Sequence, residues 1–220
     1  MSEKTKHPPI DPPKRPLLEE IGNATTHGVG SVFAIVALVL MLRGAGTTRE
    51  IAGAWIYFTG MFLMFTMSCL YHSFRYGSRV KRVFRRFDYS SIYLQIGATF
   101  APILLAYIGG TFGTVFFVIQ WCIIAVGITL VGVFGPARLR RVHIPLYLIL
   151  GWCALAFIPR MFTQGDAAFF FWILAGGVVY SLGVIPFLIK RGPSHFIWHF
   201  FVLAGAVVQW VGIYLNVYCR

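Results

Sequence analysis

The sequence is poor in charge and poorer still in acid. Charged residues make up 12% of the 220, and Asp and Glu together number only seven against nineteen Lys and Arg. A soluble domain carries about a quarter of its residues as charges, so a soluble globular fold is not expected. The four cysteines, Cys69, Cys122, Cys153 and Cys219, form no C-x-x-C pair, which excludes a thiolate zinc site and gives no disulfide framework. The first three lie inside apolar blocks, where a free cysteine packs as a small residue. H-E-x-x-H, the Walker A loop and G-x-S-x-G are all missing, so the soluble zincin, nucleotide-driven and serine-hydrolase classes lose support.

What the chain has instead is hydrocarbon. The apolar fraction is 58% and the mean hydropathy is +0.74, concentrated in long blocks as a bilayer requires. Residues 1–20 are polar and carry Pro8, Pro9, Pro12, Pro13 and Pro16; they read as a flexible cytoplasmic tail with no packed core and no signal-peptide cleavage site. Residues 21–220 read as one domain of seven transmembrane helices, near 22–42, 51–74, 88–108, 112–134, 143–160, 167–189 and 195–217. Each is close to the ~20 residues that cross ~30 Å of hydrocarbon. Gly109-Gly110 marks a tight turn between the third and fourth, while Pro102, Pro145 and Pro186 are expected to kink helices without ending them.

The net charge of +12 does not point to nucleic acid, because the basic residues alternate with the apolar blocks. Fifteen of the nineteen Lys and Arg, including Lys14, Arg15, the run Arg75–Arg86, Arg138, Arg140, Arg141, Lys190 and Arg191, fall on one side, and Arg43, Arg49, Arg160 and Arg220 on the other. The positive-inside rule then puts the amino terminus in the cytoplasm and the carboxyl terminus outside, with anionic lipid as the natural neighbour of the basic side. Trp55, Trp172, Tyr214 and Tyr218 are expected at the outer interface.

Ionisable groups within lipid each need a reason. His195 and His199 are one turn apart on one helix face. His72 ends the second segment, with Ser68 one turn above it, and Asp88 opens the third. Three helices thus bring three imidazoles, a carboxylate and a hydroxyl to one depth beneath the inner headgroups. Three neutral imidazoles with a fourth position open make the catalytic zinc pattern, and zinc at such a site makes hydroxide available near neutral pH. Asp88 would handle the proton of the attacking water, and Ser68 would donate to an oxyanion or orient a ligand. A closed zinc site stapling the helices uses the same ligands. Glu20, Asn23 and His27 share one face of the first helix and could hydrogen-bond a ligand imidazole or cap the helix in the headgroups. Asp88, Ser91, Gln95 and Thr99 form a polar stripe expected to face the bundle interior. His143 reads as interfacial.

The set Ser68-x-x-x-His72, Asp88 and His195-x-x-x-His199 resembles the motifs of the hemolysin III / progestin and adipoQ receptor (PAQR) family. Glu19-Glu20-Ile21-Gly22-Asn23-Ala24-Thr25-Thr26-His27-Gly28 resembles the opening of its bacterial hemolysin III branch. The likeness spans roughly residues 17–218. It implies Zn2+ on His72, His195 and His199, with Asp88 and Ser68 near the reactive water, and kinship with the alkaline ceramidases, proposed membrane hydrolases. The expectation is a zinc-dependent intramembrane hydrolase of a lipid amide or ester in a bacterial inner membrane, with an acyl lipid as substrate. The alternatives are a zinc-stabilised sensor of membrane state and, behind it, a pore, which would need polar residues along its whole length.

Overall fold

A computed structural model describes residues 12–163, 167–189 and 192–219. Most of the expected tail, residues 1–11, lies outside the described residues. Among the described residues the chain is helical throughout, with no strand. Seven helices are long and apolar enough to cross a membrane: α1 (Leu17–Gly44), α2 (Thr48–Ser73), α3 (Arg79–Ile108), α4 (Gly110–Phe134), α5 (Arg140–Met161), α6 (Ala167–Leu188) and α7 (Ser194–Tyr218). Helices are the form in which a lone segment satisfies its own backbone in hydrocarbon.

Local chemistry places the ends. Thr47 and Glu50 form a reciprocal capping box at the start of α2, which satisfies two otherwise orphaned amides. Ser78 Oγ accepts the Lys81 amide at 3.1 Å and starts α3 nine residues before the expected position 88. The basic run from Arg79 to Arg86 is therefore helical, with Arg75 in the turn before it. Pro102 has no amide to donate, and from it to Ile108 α3 widens into a π-helical turn. Gly109 and Gly110 then turn the chain with φ of +60° and +61°, a region open to glycine at no steric cost. Pro145 and Pro186 lie inside α5 and α6 without ending them.

α2 packs most extensively on α1 and α3, and α6 on α7. At Gly60 a Cβ would collide with Ala98 and the Leu94 carbonyl, and at Gly176 with Gln209; these glycines let the α2–α3 and α6–α7 pairs approach closely. Val29, Val32 and Val36 of α1 and Val118, Val126 and Val133 of α4 are exposed, as befits an outer wall facing acyl chains. The bundle is that of an integral membrane protein. Tyr218, at the end of α7 away from the basic end, turns inward: it is buried and donates to the Glu50 carbonyl at 2.9 Å.

One end of the bundle collects the start of α1, the end of α2, the starts of α3, α5 and α7 and the ends of α4 and α6. Because Arg15, Lys81, Arg82, Arg85, Arg86 and Arg140 gather there, we call it the basic end.

Candidate metal centre

His72 enters from the last turn of α2, and His195 and His199 from the first two turns of α7. Their ring centroids are 5.3 Å (His72–His195), 4.8 Å (His72–His199) and 4.9 Å (His195–His199) apart. One ligating nitrogen from each lies within 4.8 Å of the others, so the group could hold a metal ion. His72 and His199 are buried and His195 is partly so.

The donors suit a tetrahedral, imidazole-preferring ion. With Zn–N bonds of ~2.0–2.1 Å, the tetrahedral edge is about 3.3–3.4 Å. The Nε2 atoms of His195 and His199 stand 3.3 Å apart; the widest separation in the trio is longer than that edge. His72 Nε2 is buried and has no hydrogen-bond partner in the protein, while its Nδ1 meets Glu20 Oε2. A carboxylate on one ring nitrogen holds the proton there and leaves the lone pair on the other, the arrangement by which proteins orient metal-binding histidines.

Glu20 is fixed in turn. Lys81 Nζ lies 3.0 Å from Glu20 Oε1 and donates to the carbonyls of Tyr71 and Phe74, each at 3.0 Å. Those carbonyls end α2, where a cation is favoured. Lys81 is 1% exposed, so it is a structural cation at the core of the basic end. Within the linear sequence Lys81 belongs to a run that sets membrane orientation and attracts anionic headgroups; its i, i+7 relation to Asp88, which puts both on one face of α3, is the signal of its inward position.

The other candidates surround the trio. The Asn23 side-chain nitrogen is 3.3 Å from His72 Nδ1. The His27 ring lies 3.9 Å from that of His199, tilted by 38°, and meets Phe65 edge-on. Ser68 is buried and neighbours the Asp88 carboxylate across the α2–α3 interface. Ser91, Gln95 and Thr99 are buried, as expected for an inward stripe. His143 is not interfacial: it is fully buried, with Nδ1 2.9 Å from the Tyr93 hydroxyl. Its Arg138–Arg141 neighbours suggested headgroups, but helix phase turns the ring onto Tyr93 and Tyr147.

Beside the trio runs a cavity of ≈ 120 Å³ between α3, α5, α6 and α7. Its walls are chiefly apolar, including Ile96, Phe100, Leu148 and Val202, with Gln95, Thr99 and Ser181 as polar points. Phe187, Tyr89 and Trp198 bring it toward the basic end.

Fold and site thus define a seven-helix integral membrane protein with a buried three-histidine cluster at one end of its bundle. The family described as Haemolysin-III related matches residues 16–210, and the chain belongs to it. It is 35% identical over 195 residues to Hemolysin-3 of Bacillus cereus, covering 87% of this chain and 88% of the relative. Against the Hemolysin-3 homolog of Bacillus subtilis the identity is 33% over 195 residues, covering 87% and 91%. The human Monocyte to macrophage differentiation factor is 28% identical over 208 residues, covering 91% of this chain and 85% of that protein.

Proposed function

We propose that this protein is a zinc-dependent hydrolase cleaving an amide or ester bond of a membrane lipid, with His72, His195 and His199 as the zinc ligands. The observation that carries the reading is the unpartnered, buried Nε2 of His72, on a ring 5.3 Å and 4.8 Å from those of His195 and His199, with Glu20 engaging the opposite nitrogen of the same ring. When bound, zinc supplies Lewis acidity toward a carbonyl and brings the pKa of water down to about 7.

The chain's own groups do the rest. Glu20 holds the His72 tautomer and Lys81 holds Glu20. Asp88 takes a proton from the attacking water and returns it to the leaving nitrogen or oxygen as the acyl C–N or C–O bond breaks and the water oxygen joins the acyl carbon. Ser68 orients Asp88 by donating to it. The cavity toward Phe100 and Val202 receives part of an acyl chain and keeps bulk water from the site. The surplus of Arg and Lys at the basic end supports placing that end at the cytoplasmic face of a bacterial inner membrane.

The test is metal analysis joined to lipid turnover. Protein purified without added metal is expected to carry one zinc per chain, and His199→Ala to lose it. Asp88→Ala is expected to keep the metal and the fold while lipid cleavage stops. Absence of stoichiometric metal defeats the reading at its first step. Full turnover in Asp88→Ala defeats the assigned chemistry, and no turnover in any lipid extract leaves the zinc as a helix staple in a non-enzymatic sensor.

A further inference from the structure

We propose that the cavity beside the metal centre recognises a hydroxyl group carried partway along an acyl chain, through the side-chain oxygens of Gln95 and Tyr180. This deepens the hydrolase reading by naming the acyl part of its substrate, and rests on it for the fate of the lipid though not for its binding.

The cavity starts at the centre and leads away from it. Its near end is formed by Tyr89, which follows Asp88, by Trp198, which precedes His199, and by Phe187, whose ring lies 6.0 Å from that of His195. Gln95 and Thr99 line it further along α3. Asp88, Gln95 and Thr99 are related as i, i+7 and i+11 and so share one helix face. At 1.5 Å of rise per residue, Gln95 stands roughly 10 Å and Thr99 roughly 16 Å further along the axis than Asp88. Tyr180 enters the same wall from α6. Its ring lies against Gly205 of α7, where a Cβ would stand 2.8–3.0 Å from it, and one turn earlier Gly176 receives the side chain of Gln209. Tyr180 is thus held by interlocked helices.

Most polar groups of this wall are spent. Gln95 Nε2 donates to Thr99 Oγ1 at 3.3 Å, and Thr99 Oγ1 to the Gln95 carbonyl at 2.8 Å. Trp152 Nε1 donates to Ser181 Oγ at 3.0 Å, and Ser181 to the Gly177 carbonyl at 2.8 Å. Two oxygens are left over: Gln95 Oε1 and the Tyr180 hydroxyl are buried without a hydrogen-bond partner in the protein. Gln95 is 4% exposed, and the two side chains are neighbours. Unpaired oxygens at this depth are expensive, so they call for a partner. The amide oxygen only accepts, whereas the phenol both donates and accepts. A hydroxyl can donate to the first and bond the second at once; a plain hydrocarbon chain does neither. The rest of the wall is chiefly apolar, which favours a hydroxyl that arrives on hydrocarbon. The distance from Asp88 puts it past the middle of a chain whose carbonyl sits at the centre.

The test uses the full chain carrying Asp88→Ala, so that binding is read without turnover, in phosphatidylcholine nanodiscs. Retention of N-ricinoleoyl ethanolamine is compared with that of N-oleoyl ethanolamine by native mass spectrometry; the two amides differ by one hydroxyl beyond the middle of the chain. The hydroxylated amide is expected to be retained about tenfold more strongly, and Gln95→Met and Tyr180→Phe each to reduce that preference. Ser181→Ala, in the same wall but with its bonds already made, is expected to leave it unchanged. Because the Tyr180 hydroxyl has no partner in the protein, Tyr180→Phe is expected to keep the melting temperature, which preserves the test if Gln95→Met fails to fold. Equal retention of the two amides overturns the proposal and leaves trapped water as the partner of both oxygens. A preference that survives the double variant overturns it too, as does a Tyr180→Phe protein that loses stability and keeps the preference. Failure of the hydrolase reading is seen separately, in wild-type protein that cleaves nothing.

Discussion

Lys81 and Glu20 form an ion pair, Nζ to Oε1 at 3.0 Å, that joins the first turn of α3 to the first turn of α1. The second oxygen of the same carboxylate meets His72 Nδ1. One carboxylate thus ties a structural cation to a candidate metal ligand, and three helices are locked in register at the basic end. Removing the charge of Glu20 tests that link from the metal side. Glu20→Gln is expected to weaken zinc binding by about 10–100-fold, measured by competition with a chromogenic chelator, with the helical content unchanged.

Lys81→Met tests it from the other side. The substitution leaves Glu20 without its cation and the Tyr71 and Phe74 carbonyls without their donor. Breaking a buried pair by removing one partner costs about 3–5 kcal/mol. A marked fall in thermal stability in detergent is therefore expected, and Lys81→Met combined with Glu20→Gln is expected to recover part of it, because the uncompensated charge is then gone. A double variant no better than the lysine variant would show that Lys81 acts mainly on the carbonyls.

Filling the cavity separates lipid accommodation from metal binding. A Cβ at Gly177 would meet only the edge of Trp152, at 3.9–4.0 Å, so Gly177→Phe is tolerated at its base and sends its ring into the space. Expected results are reduced retention of long-chain lipid and unchanged zinc content, read by native mass spectrometry and elemental analysis of the same sample. Gly177 lies on α6, which carries none of the three histidines.

Tyr93 and His143 provide the contrasting case. Tyr93 packs with Ile124, Val131 and Leu150 in a second core cluster apart from the main one, and its hydroxyl is the partner of His143 Nδ1. Tyr93→Phe strands that nitrogen in the interior, at a cost of about 1–3 kcal/mol. A lower melting temperature with full metal stoichiometry is expected. Loss of zinc in this variant would mean that the two histidine sites are coupled.

Much of the fold was legible in linear sequence because a bilayer imposes a simple rule: about 20 apolar residues in a row and no unsatisfied backbone. The seven blocks, the Gly109-Gly110 turn and the tolerated Pro145 and Pro186 all follow from that rule. The five-residue set Ser68, His72, Asp88, His195 and His199 could be nominated as well, since polar groups near helix ends are few enough that a shared depth stands out. Depth, however, is one coordinate only. Which face each helix turns inward depends on packing between helices, and that assigned His143 to Tyr93, buried Tyr218 against Glu50, and drew Lys81 out of a basic run into the core. The pairing of Glu20 with both His72 and Lys81 arises from residues 52 and 61 positions apart in sequence. Hydrogen bonds reach about 3 Å and ion pairs little further, so contacts between such distant residues exist only once the bundle has closed.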